Sequence, residues 1–196
     1  TARNLVRSSP TLIAALAVHL GDADAMIAGA YGPFRTHFNH VRDVIGLREG
    51  TRHMAALSML VMPTRSLFIA DPYVNQDPDA ETLADITLLA ADAVLRFGIQ
   101  PRVALLSHSL FGSSEHPSAR KMAEAVAILH RRPPTLEVDG EMHGDAALDP
   151  EIRENVFPNS RLKGAANLVI CPSLDSANIA FNLLKSAADG LHIGPM

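Results

Sequence analysis

The sequence predicts an α/β fold, and three observations carry that prediction. Short apolar runs, which suit strands buried on both faces of a sheet, lie at 103–106 and 167–171. Segments with apolar residues at helical spacing lie between such runs, and the longest covers 79–97. Capping residues bound these segments, as where Ser9 precedes the first and Gly21 follows it. Alternating helices and buried strands indicate a parallel sheet covered by helices.

The remaining elements follow from the same two periodicities and from the turn residues between them. The predicted helices cover 10–20, 33–45, 79–97, 118–131, 150–155 and 177–188. The predicted strands cover 24–29, 54–62, 66–70, 103–106, 136–138 and 167–171. Pro63-Thr64 separates two of these strands as in a hairpin, and Pro133-Pro134 ends a helix.

Composition limits the classes of function. The chain has 196 residues, enough for one large domain or two small lobes. Its net charge is −4 and only 5% of its residues are aromatic, so it lacks the basic face and stacking platform of nucleic-acid-binding proteins. One cysteine, Cys171, excludes a disulfide framework and fits a reducing, cytoplasmic compartment. No apolar run has the length of a membrane span, so we expect neither nucleic acid nor membrane as a partner.

The polar turn after the strand at 103–106 is the first candidate site. It contains Ser107, His108, Ser109, Phe111, Gly112, Ser113 and Ser114. Ligands of α/β sheets bind at the carboxyl edge of the strands, and free amides at a helix start favour an anion. A phosphate-bearing ligand near Ser107, Ser109 and Ser113 is therefore one hypothesis. The equal alternative is an ordinary loop, because the tight phosphate-loop and dinucleotide fingerprints are missing.

The segment 139–145 is the second candidate site. It carries three carboxylates, Asp139, Glu141 and Asp145, together with His143. Such groups serve acid–base chemistry when their pKa values are separated, but they also bond backbone amides in loops. The sequence leaves these alternatives open.

The aspartates of 71–78 are interpreted as turn formers rather than cation ligands. We expect no metal site, because no histidine has enough further ligands at metal-binding spacing.

Several segments, in order along nearly the whole chain, together resemble the phosphate acetyl/butyryltransferase family. They are Gly21-Asp22-Ala23-Asp24-Ala25-Met26, Asp71 to Asp79, Leu105 to Ser109 with Gly112-Ser113, Val138-Asp139-Gly140-Glu141, Asp145-Ala146-Ala147, Gly164 to Leu168, Pro172 with Leu174-Asp175, Asn178-Ile179 and Ile193-Gly194-Pro195. Further details are similar to one branch, the phosphotransacetylase-like C-terminal region of bacterial hybrid malic enzymes. They are His37-Phe38-Asn39, His108, Phe111, Ser118 to Met122 and Glu141 to Asp145.

The resemblance implies an architecture of two α/β lobes. Each lobe would be a three-layer sheet with helices on both faces, as in isocitrate and isopropylmalate dehydrogenases, with a cleft between the lobes. Residues 1–45 would be the tail of an incomplete first lobe, and residues 46–196 most of a second lobe that forms a dimer. The chain starts without methionine and stops soon after Ile193, so we expect it to be part of a longer chain.

The resemblance also implies a function and a set of site residues. It predicts a region that binds acetyl-CoA or a related acyl-CoA as an allosteric effector and joins a homo-oligomer. Oxidation of malate with NADP and a divalent metal would belong to an N-terminal region outside this chain, so no cofactor is expected here. The cleft would contain the seven turn residues named above together with Arg35, Asn39, Arg120, Lys121, Asp139, Glu141 and Asp145.

The sequence departs from the true transferases at positions that matter for chemistry. They carry a Ser-Thr-Lys-Gly run where this chain has Ser109-Leu110-Phe111-Gly112, and an arginine where it has Asn39. Their catalytic Ser-Arg pair and following Asp come after the Ile-Gly-Pro segment. We therefore expect no catalytic residue here and interpret the site as a cleft kept for binding. An active phosphate acetyltransferase and a purely structural domain are the alternatives.

Overall fold

The computed structural model describes residues 2–132 and 136–196, so the predicted role of Pro133 and Pro134 lies outside the described residues. The chain forms two compact units, Thr1–Arg52 and His53–Met196. The predicted cleft and lobe boundary stay predictions.

The first unit is helical over its described residues. It contains α1 (Ala2–Ser8), α2 (Pro10–Leu20) and α3 (Phe34–Val44). Helix α2 starts where the Ser9 hydroxyl accepts from the Leu12 amide, and it ends at Gly21, whose φ of 80° is left-handed. The predictions of helices over 10–20 and 33–45 are thus confirmed.

The predicted buried strand at 24–29 is wrong. This segment lies outside any strand, and the Ile27 side chain is 101% exposed. A strand needs a neighbouring strand for its backbone hydrogen bonds, and the described residues of the first unit form helices and loops only.

The second unit holds the six strands that the described residues form. Its strands are β1 (Leu57–Val61), β2 (Ser66–Ala70), β3 (Arg102–Leu106), β4 (Glu137–Met142), β5 (Leu168–Ile170) and β6 (Leu191–Ile193). Its helices are α4 (Ala80–Arg96), α5 (Pro117–Arg131), α6 (Gly144–Leu148), α7 (Pro150–Val156) and α8 (Leu174–Ala187). The predicted elements of this unit are confirmed in type, whereas α6 and β6, like α1 of the first unit, were not predicted.

The six strands form one mixed sheet in the order β4-β3-β5-β2-β1-β6. Neighbours among β4, β3, β5 and β2 are parallel, and β1 is antiparallel to both β2 and β6. The predicted hairpin is the β1–β2 pair. The four parallel strands end at the same edge of the sheet. The loops 71–79, 107–116 and 171–173, which follow β2, β3 and β5, therefore lie at that edge.

Helices cover the sheet of the second unit on both faces, as predicted. Phe68 of β2 packs in a core with residues of α4 and α5, whereas its neighbours Leu67 and Ile69 pack in a second core with residues of α6 and α8. Alternating strand residues feed opposite cores because successive side chains point to opposite faces of a sheet. Burial on both faces explains why these strands have continuous apolar sequences.

Strand β4 corrects the prediction for the acidic segment. The predicted strand ended at Val138, but β4 continues to Met142, so Asp139 and Glu141 lie inside a strand and are only 4% and 3% exposed. Gly140 and the charges look like turn signals in the sequence. The strand continues through them because it pairs with β3 and because donors elsewhere in the chain satisfy both carboxylates.

A fully buried arginine links the short helices to the rest of this unit. The Arg153 guanidinium donates to the carbonyl oxygens of Ala146, Leu162 and Gly164 at 2.9–3.2 Å. No ion pair of the described residues includes Arg153, so backbone dipoles rather than a carboxylate compensate its charge.

None of the helices within the described residues is long and apolar enough to cross a membrane.

Candidate functional site

The loop 107–114 follows β3 at the carboxyl edge, and its hydroxyl groups shape its own backbone. The Ser109 amide donates to the Ser107 hydroxyl at 3.0 Å, and the Leu110 amide donates to the Ser113 hydroxyl at 2.9 Å. The Ser114 amide donates to the Ser109 hydroxyl at 3.1 Å. Ser109 is fully buried, whereas Ser113 is exposed. Serine side chains bond nearby amides in this way in tight loops.

The structure brings Glu141 to this loop. The Ser109 hydroxyl and the Gly112 amide both donate to Glu141 Oε1 at 2.7 Å, and the Phe111 amide donates to the Glu141 carbonyl oxygen at 2.8 Å. Two regions that the sequence marks separately, the polar turn and the acidic segment, are therefore one hydrogen-bonded unit.

Phe111 is held by both its backbone and its ring. Its φ is 48°, which is uncommon for a residue with a side chain, and Gly112 follows at φ 87°. The ring stacks on Phe157 with 4.1 Å between centroids and 15° between planes, and it packs against the second core. At this position, where the sequence resemblance places a lysine in the transferases, the chain has an aromatic anchor.

Three histidines lie in the loop or beside it. His108 Nε2 lies 3.1 Å from the Ser114 hydroxyl, and its ring meets the ring of His116 edge to face at 5.6 Å. His143 Nε2 lies 2.9 Å from the His108 carbonyl oxygen and donates to it. His116 caps α5 by accepting from the Ser118 amide at 3.3 Å. All three side chains are exposed, so the surface around the loop is rich in imidazole.

The two cationic residues predicted on α5 have different surroundings. Arg120 is exposed and pairs with Glu115 at the start of the helix. Lys121 is mostly covered, with 18% of its side chain exposed, and Nζ donates to Asp77 at 2.6 Å and to the Pro172 carbonyl oxygen at 2.9 Å. Lys121 thus joins α5 to the loops that follow β2 and β5.

The other predicted acidic residues bond elsewhere. Asp139 accepts from the Ser160 hydroxyl at 2.8 Å and from the Arg161 amide at 2.7 Å. Asp145 is exposed and accepts from the Ala146 amide at 2.7 Å, in the first turn of α6. Neither residue forms a hydrogen bond to the loop 107–114 within the described part of the chain, so of the three carboxylates Glu141 is the one that joins it.

Arg35 and Asn39 lie on α3 of the first unit. Arg35 is exposed and Asn39 is half-buried. Between them in the helix lies His37. Its Nε2 donates to the Tyr31 carbonyl oxygen at 2.8 Å, and its Nδ1 accepts from the Thr11 hydroxyl at 2.7 Å. His37 therefore ties α3 to α2 and to the segment before Pro33.

The described residues contain no group of three or more histidine, cysteine or acidic side chains that could hold a metal ion. The aspartate-rich loop after β2 shows why. Asp71 is 4% exposed, and it accepts from the amides of Ala56, Tyr73, Val74 and Asn75 at 2.9–3.2 Å. This supports its interpretation as a turn former.

Sequence reasoning missed several residues that complete the site. Phe157 contacts Phe111, and Asp77 and the Pro172 carbonyl contact Lys121, each from 44 or more positions away in the chain. No local pattern marks such contacts. His116 did carry a signal, because it stands directly before a helix that starts with Pro117.

The site exposes hydroxyl, imidazole and guanidinium donors at the carboxyl ends of the parallel strands, an arrangement that suits an anionic organic ligand. The fold places the chain among α/β proteins with a mixed sheet flanked by helices. A family model described as phosphate acetyl/butaryl transferase matches residues 1–196. The chain therefore belongs to the phosphate acetyl/butaryl transferase family.

Relatives of two kinds share this region. The chain is 50% identical over 196 residues to the NADP-dependent malic enzyme of Escherichia coli strain K12, covering all of this chain and 26% of that protein. It is 46% identical over 195 residues to the NAD-dependent malic enzyme of Rhizobium meliloti, covering all of this chain and 25% of that protein. The chain thus spans about a quarter of the length of these malic enzymes.

A solved phosphotransacetylase from Streptococcus pyogenes has the same fold. It superposes with a TM-score of 0.88 at 30% identity, over 95% of this chain and 57% of that protein. This likeness confirms the predicted resemblance to the transferases and the mixed α/β architecture.

Proposed function

We propose that this chain is the phosphotransacetylase-like region of a malic enzyme, that it binds acetyl-CoA or a related acyl-CoA as an effector, and that it has no transferase activity of its own. The malic enzymes that it matches along its whole length support the first part. In this proposal the parent chain oxidises and decarboxylates malate in the cytoplasm. Its NADP or NAD and a divalent metal bind in a separate region.

Phe111 is the observation that carries the binding role over the transferase role. Transfer of an acyl group between CoA and phosphate develops negative charge, which cationic side chains stabilise. The ring of Phe111 is packed on Phe157 and its amide is bonded to Glu141, so this position offers no cation to a reacting group. The loop therefore offers hydrogen-bond donors to a ligand, but at position 111 it has no cationic side chain to stabilise the charge of the transfer reaction.

The exposed donors beside the loop supply the proposed contacts to the ligand. Acetyl-CoA carries phosphates, which attract arginine and imidazole groups, and a pantetheine arm, which bonds hydroxyl and amide groups. Arg120, His108 and Ser113 are exposed at this edge. The hydroxyl groups of Ser107 and Ser109 accept from amides of the loop and so stabilise its conformation.

Calorimetric titration of the purified chain with acetyl-CoA tests the proposal. We expect saturable binding, which CoA weakens by competition, and no phosphate-dependent formation of acetyl phosphate. Arg120→Gln should weaken binding about fivefold, equivalent to roughly 1 kcal/mol. Arg131→Gln is the matched control, because Arg131 is exposed at the opposite end of α5 and should leave the affinity unchanged.

Two other outcomes would favour the alternatives. Steady formation of acetyl phosphate from acetyl-CoA and phosphate would support an active phosphate acetyltransferase. No binding by this chain or its parent, with malate oxidation indifferent to acetyl-CoA, would support a purely structural domain.

Assembly is the remaining part of the proposal. We expect the second unit to form a homodimer, because its surface keeps large apolar side chains exposed on α8 and β6. They are Ile179, Leu183, Leu191 and Ile193, with 41–66% of each exposed. Sedimentation of the parent protein should give a dimer or larger species, and a monomer at micromolar concentration would contradict this part.

A further inference from the structure

Glu141 is a buried carboxylate that the proposed binding role does not by itself explain. It is 3% exposed, and no ion pair of the described residues includes it. Its charge is compensated instead by the Ser109 hydroxyl and the Gly112 amide, each 2.7 Å from Oε1. Hydrogen bonds to a charged acceptor are the strong ones, and a buried carboxylate without them is costly.

An irregularity in the sheet directs this side chain to the loop. Leu105 of β3 pairs with Gly140, whereas Leu106 pairs with Met142, so Glu141 is the extra residue of a bulge. Bulges turn a side chain away from the regular alternation of the strand. Only glycine fits before it, because a Cβ at Gly140 would lie 2.7 Å from the Leu105 carbonyl oxygen and φ there is +146°.

The loop forms an anion cradle around this carboxylate. Phe111 and Gly112 have positive φ, and the amide of Gly112 points to Oε1 while the amide of Phe111 points to the Glu141 carbonyl oxygen. The two donors that converge on Oε1 are thus the Gly112 amide and the Ser109 hydroxyl, and converging donors of this kind bind anions. In this protein the anion is one of its own side chains, from 29 residues further along the chain.

We infer that Glu141 is a positioning residue that supplies the anion around which residues 107–114 fold, and that a small monocarboxylate takes its place when the side chain is removed. The cradle itself therefore belongs to a carboxylate and not to a phosphate of the ligand. The expected effect of Glu141 on acyl-CoA affinity rests on the proposed function. The binding of a carboxylate by Ser109 and Gly112 does not.

Chemical rescue of Glu141→Ala in the full chain tests the occupancy of the cradle without any acyl-CoA. Formate has the shape and charge of the missing group, and formamide has the shape without the charge. Formate at near-saturating concentration should raise the midpoint of thermal unfolding of the variant by about 3 °C beyond its effect on the unsubstituted chain. Formamide, and chloride at equal ionic strength, should not.

Glu137→Ala is the matched control. Glu137 lies on the same strand and accepts from the Lys163 amide at 2.6 Å, away from the loop. Formate should not selectively stabilise this variant. Equal stabilisation of Glu137→Ala, Glu141→Ala and the unsubstituted chain would overturn the inference, because it would mean a general salt effect.

The Gly112 amide proton gives a signature that a general loss of packing would not produce. In nuclear magnetic resonance spectra its signal should move upfield in Glu141→Ala and return with formate but not with formamide. If Glu141→Ala does not fold, its refolding yield replaces the melting midpoint. A yield that rises with formate alone supports the inference, and a yield that ignores formate contradicts it.

Glu141→Gln separates the hydrogen bonds from the charge. Its amide oxygen can accept from Ser109 and Gly112, so we expect a folded protein whose acetyl-CoA affinity falls severalfold because the loop is held less tightly. Unchanged affinity in both Glu141→Gln and Glu141→Ala would show that the loop does not depend on this carboxylate. Failure of the unsubstituted chain to bind acetyl-CoA would refute the proposed function alone and leave the formate result standing.

Discussion

At the scale of single residues, Phe111 shows how one side chain fixes a loop in place. Its left-handed backbone is unfavourable for a residue with a Cβ, and stacking on Phe157 with burial against the second core offsets that cost. The residue therefore stabilises a conformation that its own backbone disfavours.

Phe111→Ala removes this compensation. We expect the free energy of unfolding to fall by about 2 kcal/mol, less than for a fully buried phenylalanine because Phe111 is half-buried. Urea denaturation monitored by circular dichroism measures this difference. Leu20→Ala is the control, because Leu20 is 70% exposed and its loss should change stability by less than about 0.5 kcal/mol. Equal effects of the two substitutions would contradict the anchoring role.

Cys171 illustrates the effect of burial on a titratable group. Burial raises the pKa of its thiol from 9.0 to about 12, because the thiolate would lose its hydration. Between those two values the unfolded chain releases the thiol proton and the folded chain keeps it. The contribution of this group to stability is therefore full below pH 9 and declines as the pH rises towards 12.

The expected outcome is a thiol that resists disulfide reagents in the folded protein. At pH 8 Cys171 should react with Ellman's reagent only as fast as the chain unfolds, and fully in concentrated urea, which serves as the positive control. Cys171→Ala should also reduce the loss of stability above pH 9. Rapid labelling of the native protein would contradict the burial of this side chain.

At the scale of secondary-structure elements, α8 shows a complete capping box. The Ser173 hydroxyl accepts from the Ser176 amide at 3.3 Å, and the Ser176 hydroxyl accepts from the Ser173 amide at 3.1 Å. Two donors that would otherwise lack partners at the helix start are satisfied reciprocally. The helix predicted over 177–188 thus starts three residues late, since α8 begins at Leu174.

Ser173→Ala should lower the free energy of unfolding by about 1 kcal/mol, since the Ser176 amide loses its acceptor. Ser186→Ala near the end of the same helix is the control, and it should be neutral or slightly stabilising because alanine favours helices. Thermal or urea unfolding of the three proteins gives the comparison. Matching losses in both variants would show that helix propensity and not capping sets the effect.

The elements also show where prediction from sequence succeeds. Helix α4 could be predicted because apolar spacing, the Asp79 cap and Gly98 all indicate the same bounds. The prediction for strand β4 stopped at Val138, four residues before its end at Met142, because Asp139, Gly140 and Glu141 locally favour a turn. Their strand conformation depends on β3 and on donors from Ser109 and Ser160, which lie far away in the chain.

At the scale of the whole molecule, the two units differ in how much they bury. The described residues of α3 include no buried side chain, and those of α2 include Thr11 and Ala15. The second unit has two cores that contain Phe68, Leu105 and Phe181, each no more than 1% exposed. Burial of apolar surface is the main source of stability, so resistance to opening should differ between the units.

Hydrogen exchange measured by mass spectrometry on the 196-residue chain tests this difference. Amides of β2, β3 and β5 should exchange slowest, and amides of α2 and α3 should exchange at least about tenfold faster relative to their unfolded rates. The same peptides in denaturant give the unfolded rates. Equal protection of both units would mean that they open together.

The sequence by itself determined the family, the α/β class, most element positions and the two candidate regions, because periodicity, caps and turn residues act over short distances. Only the tertiary structure decided that the polar turn and Glu141 form one unit, that Phe111 rests on Phe157, and that residues 24–29 have no strand partner. Those contacts join residues far apart in the chain. Packing in three dimensions, rather than local preference, selects them.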